Sequence, residues 1–93
     1  MKAIINNKIY DTTKAEAIID YRRKVNEGEI LNSGVYYCPY HNFTLYKTAK
    51  GSYFEHDKTK DIISVLSEEI ARDIVRKLEP DLYIKLFGDV EEA

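Results

Sequence analysis

The stretch Cys38-Pro39-Tyr40-His41 is where this sequence comes nearest to a reactive or metal-binding site, with His56 as a third donor across a short hairpin. A structural zinc centre takes four ligands, normally as two such pairs, and the second pair is missing. Nucleophilic catalysis is no better supplied. His41 lies too close along the chain to be well placed to deprotonate Cys38, and no nucleophile motif surrounds the thiol. The competing reading is a strand-end cysteine packing as a small hydrophobe beside two surface histidines. Carboxylates are abundant, but Glu68 and Glu69 suit the first turn of a helix and Asp11 a turn, and acid–base work would need two of them in one cleft. The four glycines form no phosphate-cradling loop. These residues predict a protein that is not an enzyme and holds no metal or cofactor.

A denser signal is aromatic. Tyr36, Tyr37, Tyr40, Tyr46, Tyr53 and Phe54 fall within nineteen positions, and successive strand residues face opposite sides, so one core cannot take them all. Tyrosine on an outer face offers large contact area at low entropy cost. Lys47, Lys50, Lys58 and Lys60 lie nearby. The predicted partner-binding set is therefore Tyr36, Tyr46, Lys47, Lys50, Tyr53, Lys58 and Lys60, suited to a protein surface or, by stacking between cations, to a single-stranded nucleic acid. Cross-strand tyrosine pairs with lysines solvating the sheet edge are the plainer alternative. Arg22, Arg23 and Lys24 add a basic cluster that gains interest if the fold brings it beside those lysines.

The elements that position these residues follow from periodicity and punctuation. Lys2 to Tyr10, with Asn6-Asn7 in the middle, reads as a strand broken by a turn or a small hairpin. Asp11, Thr12 and Thr13 precede Ala15, Ile18, Ile19, Arg22 and Val25 at helical spacing, with Gly28 as a stop, and predict a helix from about Lys14 to Glu27. A loop over Glu29–Gly34 leads to a strand from Val35 that ends or bulges at Pro39. Phe43–Thr48 alternates, Lys50-Gly51-Ser52 turns, and Tyr53–His56 returns as a tight hairpin in which Tyr46 points away from Phe43 and Leu45. Ile62, Ile63, Val65 and Leu66 give a further strand. Ser67 caps a helix carrying Ile70, Ile74, Val75 and Leu78, and Pro80 opens a second that ends at Gly88. Residues 89–93 read as a frayed acidic tail. The order predicts one α+β domain over residues 1–93, with a mostly antiparallel sheet of about four to five short strands and helices packed on one face.

Composition bounds the rest. Ninety-three residues, 44% hydrophobic and 32% charged, describe a small globular chain. A formal charge of −2 argues against a dedicated nucleic-acid binder. A single cysteine, no signal-peptide pattern and no bilayer-length apolar run predict a cytoplasmic protein with no membrane partner. So short a chain with surplus aromatics is also expected to gain core by forming a homodimer.

Three segments carry a resemblance: Met1-Lys2-Ala3-Ile4-Ile5 leading to Tyr10-Asp11-Thr12 and Ala15; Leu45-Tyr46-Lys47-Thr48 with Lys50-Gly51 and Tyr53-Phe54; and Leu66-Ser67-Glu68-Glu69 heading a helix. With the Glu91-Glu92-Ala93 ending, the chain resembles a group of small proteins encoded by phages and mobile elements of Firmicutes, some of them similar to anti-CRISPR proteins. The resemblance implies stoichiometric binding to a CRISPR effector complex, an RNA-guided nuclease. A small nucleic-acid-binding accessory protein is the alternative.

Overall fold

The computed structural model describes residues 1–88 and 90–93. The chain opens with an antiparallel hairpin, β1 (Lys2–Ile5) and β2 (Lys8–Asp11). Its turn places Asn6 and Asn7 at φ 52° and 63°, the mirror-image turn whose twist matches paired strands and which asparagine tolerates best after glycine. Four strands then form one antiparallel meander in the order β3-β4-β5-β6: β3 (Glu16–Lys24), β4 (Tyr40–Lys47), β5 (Tyr53–Asp57) and β6 (Ile62–Leu66). Two helices close the chain, α1 (Glu68–Leu78) and α2 (Pro80–Phe87). The fold is α+β with a mainly antiparallel sheet, as composition and punctuation predict. The expected acidic tail begins at Asp89, which lies outside the described residues.

The predicted helix over Lys14–Glu27 is instead strand β3, paired with β4 from Glu16↔Lys47 to Lys24↔Tyr40. The helix-start residues do make a turn. Asp11 Oδ1 accepts from the Thr13 amide and hydroxyl, and the amides of Lys14 and Ala15 reach the Asp11 carbonyl. That turn stops after one cycle because Ile18, Ile19 and Tyr21 favour a pleated surface and β4 offers a full ladder. A bulge between Ala17 and Ile19 lets Ile18 and Ile19 pack into the same core, which produced the helix-like spacing. The strand expected from Val35 is irregular too, with only an isolated bridge from Glu29 to Tyr36.

Both faces of the sheet are covered, by different things. On one, Leu45 and Tyr53 meet Ala71 and Val75 of α1, with Ile19, Leu66, Leu82, Tyr83 and Phe87 around them. On the other, Phe54 and Ile63 lie under Tyr10, Ala3 and Ile5 of the first hairpin. The helices do pack on one face. Ser67 caps α1 by accepting from the Ile70 amide at 3.2 Å, and Glu68 and Glu69 follow where the helix dipole favours acids. Ser67→Ala should therefore remove about 1 kcal/mol, lowering the melting temperature by about 4–8 °C in a domain of this size. Differential scanning calorimetry checks it, and an unchanged transition would mean that the cap is silent.

Candidate interaction surface

Beyond the two cores, β3 and β4 continue together as a projecting arm, residues 25–39. Its rungs are irregular: the Val25 amide reaches Pro39 O at 2.9 Å, the Glu27 amide reaches Tyr37 O at 2.8 Å, and Tyr37 N–H returns to Gly28 O at 2.8 Å. At the tip the Ser33 amide bonds to Ile30 O at 2.9 Å, closing a turn in which Leu31 and Asn32 have φ of 46° and 55°. This is the same mirror-image turn as at Asn6-Asn7, but with leucine where asparagine would sit comfortably. A left-handed leucine costs of order 1 kcal/mol, and Leu31 recovers nothing by burial because it is 93% exposed. Ile30, Val35, Tyr36 and Tyr37 are exposed along the same arm. From Ile30 to Tyr46 no lysine, arginine, aspartate or glutamate occurs, in a chain that is 32% charged.

A polar box built around the buried His41 ring, with exposed Glu27 and Lys60 on its outer side, fixes the arm to the sheet. His41, 1% exposed, presents Nδ1 to Asp57 Oδ2 at 2.7 Å and Nε2 to Glu27 Oε1 at 3.1 Å. Lys60 Nζ joins Glu27 Oε1 at 2.9 Å. The Lys60 ammonium holds the Glu27 carboxyl below its ordinary range, and Glu27 in return pushes Lys60 up. For Asp57, burial pushes upward, but hydrogen bonds from His41 and from the Lys60 and Thr59 amides outweigh it. Next to this box, buried Glu55 accepts from the Tyr21 hydroxyl and from Arg23 Nη2, the latter at 2.6 Å. Burial first, then the Glu55 carboxylate, pushes the Tyr21 phenol far up. Tyr21 stacks on Phe43 at 5.5 Å, and Arg23 covers the same ring at 4.2 Å. Both His41 ring nitrogens and both Glu55 oxygens are engaged in hydrogen bonds that tie β3, β4 and β5 together.

The predicted contact residues scatter. Tyr36 is exposed on the arm. Tyr46 does point away from Leu45, but that face is not open: its ring stacks on Phe54 at 5.0 Å and packs in the core under the first hairpin. Tyr53 is 4% exposed, buried beside Phe87, with Lys47 Nζ 5.8 Å above its ring. Alternation tells which side a residue faces and is blind to what covers that side. Lys58 pairs with Asp20 at 3.4 Å and Lys60 with Glu27. Lys50 stands in the β4–β5 turn, across an open groove of about 670 Å³ from Lys8, Ile9 and Tyr10. The structure thus brings Tyr36, but not Tyr46 or Tyr53, to the exposed surface of the arm.

Cys38, His41 and His56 do not converge. His41 and Thr44 lie on opposite faces of β4, and His56 pairs across from Thr44 and bonds Asp61 at 2.7 Å. Cys38 is exposed on the arm. Among the described residues no cluster of histidine, cysteine, aspartate and glutamate could hold a metal ion, and no helix is long and apolar enough to cross a membrane. The sequence reasoning missed Leu31 and counted Tyr40 in the aromatic cluster without placing it in the contact set; the uncharged run from Ile30 onward was the available signal. Comparison with protein-family models, with curated proteins and with solved structures finds no match.

Proposed function

We propose that this protein works by stoichiometric binding of a protein partner through its β3–β4 arm, as an inhibitor or adaptor of a phage or mobile element. The observation that carries the reading is Leu31. A leucine held in the left-handed region at the tip of an aromatic arm, in a run that carries no charge from Ile30 onward, almost fully exposed, costs the isolated chain backbone energy and gives it no packing. Strain of that kind is recovered when the side chain enters a pocket on another surface. The lack of charge from Ile30 through the tip fits an apolar pocket, where ionic side chains would have to be desolvated. An RNA-guided nuclease complex is the first partner to assay, on the segments around Tyr10, Lys47 and Ser67.

Leu31→Asn separates binding from folding. Asparagine prefers this turn, so the variant should fold at least as well as the wild type, within about 1 kcal/mol. Loss of a central apolar anchor should weaken partner binding on the order of thirtyfold, the scale of an interface hot spot. Size-exclusion chromatography with a guide-loaded nuclease complex, after digestion of unprotected nucleic acid, should show co-elution of wild type and its loss with Leu31→Asn. Equal co-elution of both would overturn the arm as the contact. With no complex formed by this partner, a cleared host lysate provides the second assay, scored by the same difference between wild type and variant.

A further inference from the structure

A separate surface lies on the open end of the sheet, on the side away from the helices. Register places Arg22 opposite Asn42 and Lys24 opposite Tyr40. Arg23, between them, points to the other face and bonds Glu55. Tyr40 is 56% exposed, with the Arg22 guanidinium 4.9 Å and the Lys24 ammonium 5.6 Å from its ring centroid. Both cations are exposed, and among the described residues neither has a carboxylate partner. The nearest acid on that face, Asp20, is already held by Lys58 at 3.4 Å and by the Thr44 hydroxyl at 2.5 Å, the latter foremost in holding its carboxyl below the ordinary range. The net charge conceals a division that suits this: residues 1–66 carry ten basic and eight acidic side chains, residues 67–93 four basic and eight acidic.

We infer that Tyr40, Arg22 and Lys24 form a binding site for a single-stranded nucleic acid, independent of the protein contact at the arm tip. An exposed phenol ring flanked by unpaired cations offers a base a stacking platform, and two residues apart on one strand face set Arg22 and Lys24 about 6.7 Å from each other, a spacing that suits successive phosphates of an extended strand. Exposed cation–π contacts are weaker than base stacking, so an incoming base displaces the guanidinium, which is then free for phosphate. Acidic protein segments could answer the same charges but have no use for the aromatic platform. The ring therefore favours the nucleic acid.

Fluorescence anisotropy with labelled twelve-nucleotide oligothymidylate and oligouridylate at 50 mM salt tests the site with the intact chain. Wild type should bind at least one of them with a Kd between about 1 and 100 µM, and the difference between the two tells DNA from RNA. Tyr40→Ala should weaken binding about tenfold, within the range of one stacked base. Arg22→Gln with Lys24→Gln should flatten the slope of log affinity against log salt by about 1.4, about 0.7 for each phosphate released. All three positions are exposed, and circular dichroism verifies that the variants remain folded. Leu31→Asn should bind the oligonucleotides as wild type does, which keeps this result apart from that of the arm. Equal affinity of wild type and Tyr40→Ala, equal affinity for a duplex of the same length, or equal affinity for an acidic twelve-residue peptide would overturn the inference.

Discussion

Phe54→Ala is expected to remove about 3–5 kcal/mol of folding stability, measured as a lowered midpoint in urea with the slope unchanged. Phe54 is fully buried on the face away from the helices. Tyr46 stacks on its ring at 5.0 Å, and Tyr10 meets it edge-on at 5.6 Å. The ring is therefore the joint between the four-stranded sheet and the first hairpin, which is too small to be stable alone. Truncating it opens a void where β1 and β2 seat. A 93-residue domain has roughly 5–14 kcal/mol in total, so the loss is a large share of it. Ile9, on the outer face of the same hairpin and 64% exposed, gives the internal comparison. Ile9→Ala should stay within about 0.5 kcal/mol of wild type. A Phe54→Ala cost below about 1.5 kcal/mol would mean that the hairpin does not depend on this seat.

What could be read from the sequence depended on how local its cause was. The β4–β5 hairpin, β6, the Ser67 cap, the Pro80 start and the Gly88 stop are written in neighbouring residues, and all are present. β3 is not, because its conformation is decided by a partner strand some twenty residues away, while Asp11, Thr13 and the paired isoleucines imitate a helix start. Tyr46 shows the same limit one level up. Its direction follows from alternation with Leu45, but its burial depends on a hairpin at the far end of the chain folding over it. The Tyr40 site is less legible still. Arg22, Arg23 and Lys24 look like one basic run, and only the pleat sends Arg23 to Glu55 and the other two to Tyr40. The arm tip could have been found from the uncharged run that begins at Ile30, whereas the strain at Leu31 belongs to backbone geometry and leaves no mark in composition.

His41→Ala is expected to cost about 2–3 kcal/mol at neutral pH, and progressively less as the pH falls below about 4. His41 stands between Asp57 and Glu27, and a carboxylate can only accept, so both ring nitrogens are satisfied when both donate. Removing the ring leaves two acids around a void, with Lys60 the only cation in the box and directed at Glu27. Asp57 and Glu27 both have folded values depressed below their unfolded ones. Their stabilisation is thus fully present above the unfolded carboxyl values of about 4 and is lost as pH falls through the depressed ones. In the variant, burial still pushes Asp57 upward while the opposing imidazole is gone, so protonation there relieves the fold. Acid therefore removes more from wild type than from the variant. Urea titrations at pH 7, 5 and 3.5 should show the stability gap unchanged between pH 7 and about pH 5 and narrowed at pH 3.5, whereas the cavity left by the ring contributes the same at each pH. His41→Gln, which keeps a donor and more of the volume, should fall between the two. A gap that stays constant would reduce His41 to a space-filling residue, and one that widens in acid would reverse the assigned charges.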